Sequence, residues 1–569
     1  MLELTDLSFH IPRDGESVPL LDQISLKIPT GHFMAIVGPS GCGKTTLLKT
    51  IAGINPETSG SLSYHGRDLV EDNDFEPHEI GYVPQFSIAY DELTVDESIE
   101  TAAKLRIKSR STAELDQRLD TILAETGLTE IADRPVKVLS GGQKRRLGLA
   151  MELVSSPKLL LCDEVTSGLD PRSEREIVHL LHSLSRRDDR TVISVTHSLA
   201  HLELYDSLLV LHEGRVAYHG PPSGVTHYFS VEDTEEIYPA LSRQASTNWQ
   251  TSWIKHRDGY EKKMLAHLEP SQVQPLDEPQ PEDKTRTPGF LAQTSTLLSR
   301  RAKIFFRDRG QIILQLALII GFPLLVSLFS SRANEQSQRL SNSMEENKIL
   351  EVINRAEVRE SRLKVGSANS GIIMFQVVLL CLMGSNNASR EVASERNIFE
   401  KEKFGGLSPP AYLTSKIIFL SIIVLIQSLW MGFFLELFWE FKGDFGAHLS
   451  FLVLVNAAMT AVCLGISSLA KNAEQASLLS IYLVGFQLPL SGAVLALPTL
   501  IEPFTRPFIA AYWAWSGAID SLATDKSSAI KEVTETTLSP ANNCLFLLVA
   551  HLVIGLAVAL IGLQKPRWN

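Results

Sequence analysis

The sequence predicts an α/β phosphate-binding domain followed by an all-α polytopic membrane domain. Three observations carry this. Gly38-Pro39-Ser40-Gly41-Cys42-Gly43-Lys44-Thr45-Thr46 sits between the apolar run Phe33-Met34-Ala35-Ile36-Val37 and the helical Leu47-Leu48-Lys49-Thr50-Ile51. Strand, glycine-rich loop, Lys, Thr, helix is the P-loop order. The second half holds long stretches without a charge, each near the ~20 apolar residues that a membrane-spanning helix needs. The first half instead mixes charged and apolar residues, as a water-exposed α/β domain does.

The P-loop chemistry follows from its residue types. Glycines let the backbone curl so that several N–H groups face one anion, and the helix N-terminus adds partial positive charge. Lys44 can reach the β- and γ-phosphates, and the Thr45 hydroxyl can ligate Mg²⁺. The net charge of −12 leaves no basic footprint, so no nucleic-acid partner is expected. Cys42, Cys162, Cys381, Cys463 and Cys544 form no C-x-x-C pair, which argues against a disulfide framework or a zinc site. Met1-Leu2-Glu3-Leu4-Thr5-Asp6 lacks the basic start and apolar core of a signal peptide, so the first half is expected in the cytoplasm.

Along the chain, residues 2–9 and 24–28 alternate as half-exposed strands do. Gly60 to Gly66 reads as a short strand with a turn. Ile80-Gly81-Tyr82-Val83-Pro84-Gln85 is a strand whose terminal amide can lie near Mg²⁺ and an attacking water, or be an ordinary strand-end polar residue. Leu139-Ser140-Gly141-Gly142-Gln143 precedes a long helix; it reads as a second anion nest with Ser140 as N-cap, or as a plain capped helix. Lys158 to Glu164 is an apolar strand ending in two carboxylates. Asp163 is placed to hold Mg²⁺ and Glu164 to activate water. Ser167-Gly168-Leu169-Asp170 is a tight turn, and Thr191 to His197 is a buried strand ending in a histidine.

In this order the motifs resemble the nucleotide-binding domain of ABC ATPases, covering residues 1–240. Gly38 to Thr45 is the Walker A loop, Gln85 the Q-loop, Leu139 to Gln143 the signature, Leu159 to Glu164 Walker B, Ser167 to Asp170 the D-loop and His197 the H-loop. The resemblance implies ATP and Mg²⁺. Gly38, Pro39, Ser40, Gly41, Cys42, Gly43, Lys44, Thr45 and Thr46 would bind the nucleotide on one subunit. Ser140, Gly141, Gly142, Gln143 and Asp170 would bind it from a second. Thr45, Gln85 and Asp163 would serve the metal; Glu164, His197 and Gln85 would serve hydrolysis. Two positions depart from the family: Ile11, with Phe9 and His10 nearby, stands where an adenine-stacking aromatic is usual, and Val165 stands where proline is common. Leu93-Thr94-Val95-Asp96-Glu97-Ser98, and Gly214 to Pro221 with Tyr228-Phe229, look like the G subfamily of ABC transporters, which places its ATPase before its membrane domain.

Residues 241–289 are expected as a linker, with Pro270, Pro275, Pro279, Pro281 and Pro288 making an extended tether from 268. Residues 290–309 set Leu291, Leu297, Leu298, Ile304, Phe305 and Phe306 against Arg300, Arg301, Lys303, Arg307 and Arg309. That suits an amphipathic connecting helix on the membrane surface. Six spans are expected within 310–569, at about 311–331, 366–388, 417–435, 447–470, 475–498 and 541–563. With the ATPase inside, both termini are expected to be cytoplasmic, and 332–364 to form an external helical hairpin or cap. Arg390 to Lys403 reads as a solvated loop or, by resemblance to G-type exporters through Gly405 to Tyr412, as a coupling helix. Residues 504–519, with Tyr512, Trp513 and Trp515, suit an interfacial or re-entrant element on the outer side. Gln376, Gln427, Asn456 and Gln487 either meet a substrate or join helices. Glu436 reads as interfacial, and Phe375 as lining a cavity.

The whole reads as an ATP-driven half-transporter that pairs with a second copy or a related chain in a lipid membrane. The predominantly apolar membrane half and the lack of a substrate-binding domain favour export of lipids or hydrophobic molecules. The alternative is a membrane-embedded ATPase that acts mechanically or as a regulator on a partner.

Overall fold

Short apolar runs bounded by turn residues become the buried strands of a six-stranded sheet, in the order β10-β9-β3-β8-β7-β6. Its strands are β3 (Phe33–Val37), β6 (Ile80–Val83), β7 (Leu159–Asp163), β8 (Thr191–Val195), β9 (Ser207–His212) and β10 (Arg215–Gly220). β9, β3, β8, β7 and β6 run parallel, and β10 closes the edge antiparallel. A parallel sheet is covered on both faces, which is why these strands read as unbroken apolar runs rather than alternating ones. A second, antiparallel sheet orders β2-β1-β4-β5: β1 (Leu2–Arg13), β2 (Glu16–Ile28), β4 (Ser59–Tyr64) and β5 (Arg67–Asp68). The computed structural model describes residues 1–13, 15–69, 75–85, 89–109, 111–266, 287–343, 351–438, 443–494, 496–498 and 500–565.

The described chain divides into two compact units. The first comprises Met1–Thr296 with Lys401–Leu407, the second Leu297–Glu400 with Ser408–Arg567. The first unit has two apolar cores. One packs α1 (Lys44–Ile51) and α5 (Pro171–Ser185) with the sheets. The other lies among α2 (Val95–Arg106), α3 (Thr112–Thr126) and α4 (Gly141–Leu153), through Val95, Ile99, Leu119, Ile122 and Leu147. These helices start where side chains satisfy their free N–H groups: Thr94 with Glu97 and Ser140 with Gln143 form capping boxes, and Ser111 caps α3.

After β10 come α6 (Val225–Phe229), α7 (Ile237–Leu241) and α8 (Ser246–Ala266). The linker expected from residue 241 therefore begins with a 21-residue helix. The reason is aromatic packing: Trp249 and Trp253 are buried, and Trp253 and Tyr260 meet Tyr218 edge-on. Residues 267–286, with most of the proline tether, lie outside the described residues.

The second unit is helical. It holds α9 (Phe290–Arg307) from Leu297 onward, α10 (Arg309–Ser343), α11 (Glu351–Ala388), the first half of α12 (Arg396–Phe404), and α13 (Pro409–Phe438). α14 (Phe445–Leu469), α15 (Ala473–Gly485), α16 (Glu502–Thr505), α17 (Ala510–Asp520), α18 (Thr524–Val533) and α19 (Ala541–Gln564) follow. Among the described residues five helices are long and apolar enough to cross a membrane: α10, α11, α13, α14 and α19. The stretch expected as a span at 475–498 is different. α15 has 13 residues, about 20 Å at 1.5 Å per residue, short of a ~30 Å hydrocarbon core. Pro489 begins a single 3₁₀ turn and Gly492 takes φ +78°, which ends the regular helix. Residues 344–350, within the 332–364 stretch expected outside, lie outside the described residues.

Burial adds to three further expectations. On α9, Arg300 and Arg301 point inward, while Leu291 and Phe306 are exposed. Arg301 donates to both oxygens of Glu391, at 2.7 and 2.8 Å. Lys416 then bridges Glu391 at 2.9 Å and Glu395 at 2.6 Å. The segment from Arg390 is thus a buried ion-pair element, not a solvated loop. Tyr512 and Trp515 are fully buried in α17, and the Tyr512 hydroxyl donates to Thr537 O at 2.8 Å, so these aromatics pack inside the unit.

Buried amides join the helices. Gln315 donates to Asn387 at 3.2 Å, Asn387 to Gln427 at 2.8 Å, and Gln427 back to Gln315 at 2.9 Å, with Asn456 joining Gln427 at 3.1 Å. Gln376 meets His448 at 3.2 Å, and Gln487 accepts from Ala511 N at 3.0 Å. Glu436 is exposed and Phe375 half-buried.

In the first unit Glu152 is fully buried between two cations: Arg106 at 2.6 and 3.0 Å and Lys401 at 3.0 Å. Burial alone would raise this carboxyl, but Arg106 and Lys401 outweigh it and hold it below its ordinary 4.5. A lowered folded value means that the stabilisation is complete above 4.5 and lost as pH falls through the folded value. Arg106→Ala strands the carboxylate and should cost about 3 kcal/mol. Wild type should lose thermal stability in acid more steeply than Glu152→Gln, as calorimetry at stepped pH will show.

Candidate functional site

The site follows from strand register. Val83 pairs with Cys162, and Val195 pairs with Asp163. Gln85 and Glu164 are therefore each two residues past one aligned pair, and His197 is two past the other. The three leave the carboxyl ends of neighbouring strands, where open α/β sheets hold their ligands. The P-loop leaves the same end of β3, which pairs with β8 through Ile36 and Val195.

Glu164 is the meeting point. The Gln85 Nε2 donates to its Oε2 at 2.7 Å, and His197 Nε2 lies 2.6 Å from its Oε1. Its backbone sits at φ +47°, the left-handed region that a non-glycine residue enters at a cost of about 1–3 kcal/mol. The strained turn points the carboxylate off the end of β7 instead of into the sheet. Asp163, one residue earlier, is buried, and its Oδ1 accepts the Thr45 hydroxyl at 2.9 Å. Burial pushes the Asp163 carboxyl up, against the pull of Thr45. Tyr82 donates to the other oxygen at 3.3 Å. Sequence reading missed Tyr82, because a tyrosine within an apolar strand carries no signal of its hydroxyl's partner.

In the P-loop, Lys44 is almost fully buried and donates to Gly38 O and Pro39 O, each at 3.0 Å. Gly38 has φ +153°, and a Cβ there would lie 2.4 Å from Leu211 O. Gly43 caps α1 with φ +103°. Cys42 is buried, and its carbonyl accepts from Gly214 N at 2.9 Å, so the β9–β10 turn braces the loop. Thr46 begins the next turn and accepts the Thr50 hydroxyl. Thr45 and Asp163 offer hard oxygen ligands side by side, the donor chemistry Mg²⁺ takes when phosphates complete its shell. Gln85, expected also at the metal, instead places its amide nitrogen on Glu164.

The remaining expected residues form a second group on the helical core. Ser140 accepts from Gln143 N at 3.3 Å, and the Gln143 side chain accepts from Ser140 N at 3.0 Å. Asp170 caps α5, accepting from Arg172 N at 3.1 Å and Ser173 N at 3.0 Å. Ser140, Gly142, Gln143 and Asp170 line one open cavity of about 710 Å³ with Arg146 and Arg172. Gly141 lies behind it, against Leu169. None of the P-loop residues lines this cavity.

Comparison with known proteins agrees with this division. Residues 21–167 match the ABC transporter family, and residues 292–515 match the ABC-2 type transporter family. The chain is 29% identical over 502 residues to the ABC transporter ATP-binding/permease protein Rv1747 of Mycobacterium tuberculosis, covering 85% of this chain and 53% of that protein. It is 37% identical over 216 residues to the sulfate/thiosulfate import ATP-binding protein CysA of Mycobacterium bovis, covering 37% of this chain and 60% of CysA. This chain thus spans between half and two thirds of the length of each. A solved dimer of the ATP-binding cassette MJ0796 with ADP and Pi is 28% identical, covering 39% of this chain and 99% of that one, with a TM-score of 0.36.

Gly38→Ala should weaken nucleotide binding at least tenfold and lower the melting temperature, because the methyl group meets a backbone carbonyl that cannot move aside. Titration with a fluorescent ATP analogue and a thermal melt will measure both effects.

Proposed function

This chain joins an ABC transporter ATPase domain to an ABC-2 type transporter membrane domain, and on that premise we propose that it is an ATP-driven half-transporter of the G-subfamily kind. It works as a dimer, with a second copy or a related chain, to export lipids or other hydrophobic molecules. The observation that carries the ATPase reading is one carboxylate, Glu164, held on both oxygens at the mouth of a phosphate loop.

The steps follow from the residues. P-loop N–H groups and the Lys44 ammonium bind the β- and γ-phosphates of ATP. Mg²⁺, when bound, neutralises triphosphate charge; Thr45 and Asp163 would hold it. Glu164 takes a proton from the attacking water, whose oxygen bonds to the γ-phosphorus as the bond to the bridging β–γ oxygen breaks. Each carboxylate oxygen has two lone pairs, so the bonds to Gln85 and His197 fix Glu164 and still leave it basic.

The separate cavity of Ser140, Gly142, Gln143 and Asp170 supports the dimer. Its capped helix start suits the γ-phosphate of ATP held on the P-loop of the other copy. ATP closes the pair and hydrolysis opens it, alternating access to a cavity between membrane domains. The ion-paired segment from Arg390 to Lys403 is the coupling element, and, with α15 and the turns after it completing a sixth crossing, both termini lie in the cytoplasm. The apolar spans suit a hydrophobic cargo.

Glu164→Gln should keep ATP binding and lower turnover by at least about 100-fold. Lys44→Ala should lose both. Steady-state ATPase assays with parallel nucleotide-binding titrations test this pair, and near-normal turnover in Glu164→Gln removes Glu164 as the base. ATP-dependent flux of a fluorescent lipid in vesicles separates transport from mechanical action on a partner.

A further inference from the structure

His197 reaches Glu164 from a loop, and something must fix that loop relative to the phosphate site. Behind β8, the Thr196 hydroxyl accepts from Ser198 N at 3.1 Å and lies 3.4 Å from the Thr166 hydroxyl. The carbonyl of His197 itself has a different partner: the Tyr238 hydroxyl donates to it at 3.2 Å. Burial pushes this phenol up to about 12, so it keeps its proton and donates it to that carbonyl.

Tyr238 is well anchored. It belongs to α7, whose Ile237, Ala240 and Leu241 are buried in the sheet core. The Trp249 indole N–H donates to Leu241 O at 3.1 Å, tying the end of α7 to α8. The ring packs on that core while its oxygen reaches the His197 loop.

We propose that Tyr238 is a positioning residue for ATP hydrolysis: its hydroxyl, carried on a helix packed into the sheet core, holds the backbone of His197 and so sets where the His197 ring meets Glu164. This rests on the ATPase reading above. Because Tyr238 acts through His197, it should matter for the chemical step and not for holding nucleotide.

The test is Tyr238→Phe in the full-length protein in lipid nanodiscs. The variant keeps the ring and removes only the hydroxyl. We expect kcat for ATP to fall about tenfold, the scale of one well-placed hydrogen bond. KM for ATP and the affinity for a fluorescent ATP analogue should stay within twofold, and the melting temperature should be unchanged. In a His197→Ala background the same change should leave the residual rate where it is, because the residue it positions is gone. Unaltered kcat in Tyr238→Phe overturns the proposal and leaves the ATPase reading standing. So does an equal fall in both backgrounds, which places the hydroxyl's action elsewhere, or a raised KM at constant kcat. Wild-type protein that does not hydrolyse ATP overturns both.

Discussion

Parallel strands of similar length must end together, and this constraint organises the first unit. In β3, β8 and β7, each with a paired strand on both sides, the backbone N–H and C=O groups inside the sheet are committed to neighbours, so polar chemistry gathers where the pairing stops. Side chains from four distant parts of the sequence arrive at one edge with no contact needed to guide them individually. The pairing of Cys162 with Val83, and of Asp163 with Val195, already determines that an amide and an imidazole flank Glu164. A slip of one residue in β7 would turn that carboxylate to the other face of the sheet.

The first unit uses separate cores for the two halves of its phosphate chemistry. The P-loop and the carboxylates stand on the sheet core, whereas Ser140 stands on the helical one with Leu139 and Leu147. Each half is locally rigid for its own reason. Glycines with closed-off Cα faces hold the loop, and reciprocal capping holds the signature.

Much of this was legible in the sequence because the residues announce their own local structure. The order from Gly38 to Thr46 requires a turn that only glycine-rich backbone can make, and Ser140 three residues before Gln143 is a helix start in any context. Asp163 and Glu164 were legible as the end of an apolar run. Tyr82 and Tyr238 were not, because a phenol's partner is set by tertiary packing and no spacing rule encodes it. The same holds for Arg301: its neighbours on α9 suggest a basic surface face, but Glu391 lies 90 positions away in sequence. Helix α8 was hidden within a presumed linker because its aromatic face has meaning only against Tyr218. The regular helix within the fifth expected span is shorter than its hydropathy suggests, since hydropathy counts apolar residues but not the turns that Pro489 and Gly492 impose.

The three amides of Gln315, Asn387 and Gln427 close a circuit in which each gives one hydrogen bond to the next. Such a circuit can run clockwise or anticlockwise with the same number of bonds, because an amide turned end for end exchanges its giving and taking atoms. Apolar surfaces would glide past one another over a smooth landscape. Here the helices carrying α10, α11 and α13 meet notches instead, positions where the circuit shuts and between which a dipole is left dangling in a dry interior. A bundle indexed this way, like a ratchet wheel with a pawl, would rearrange in clicks.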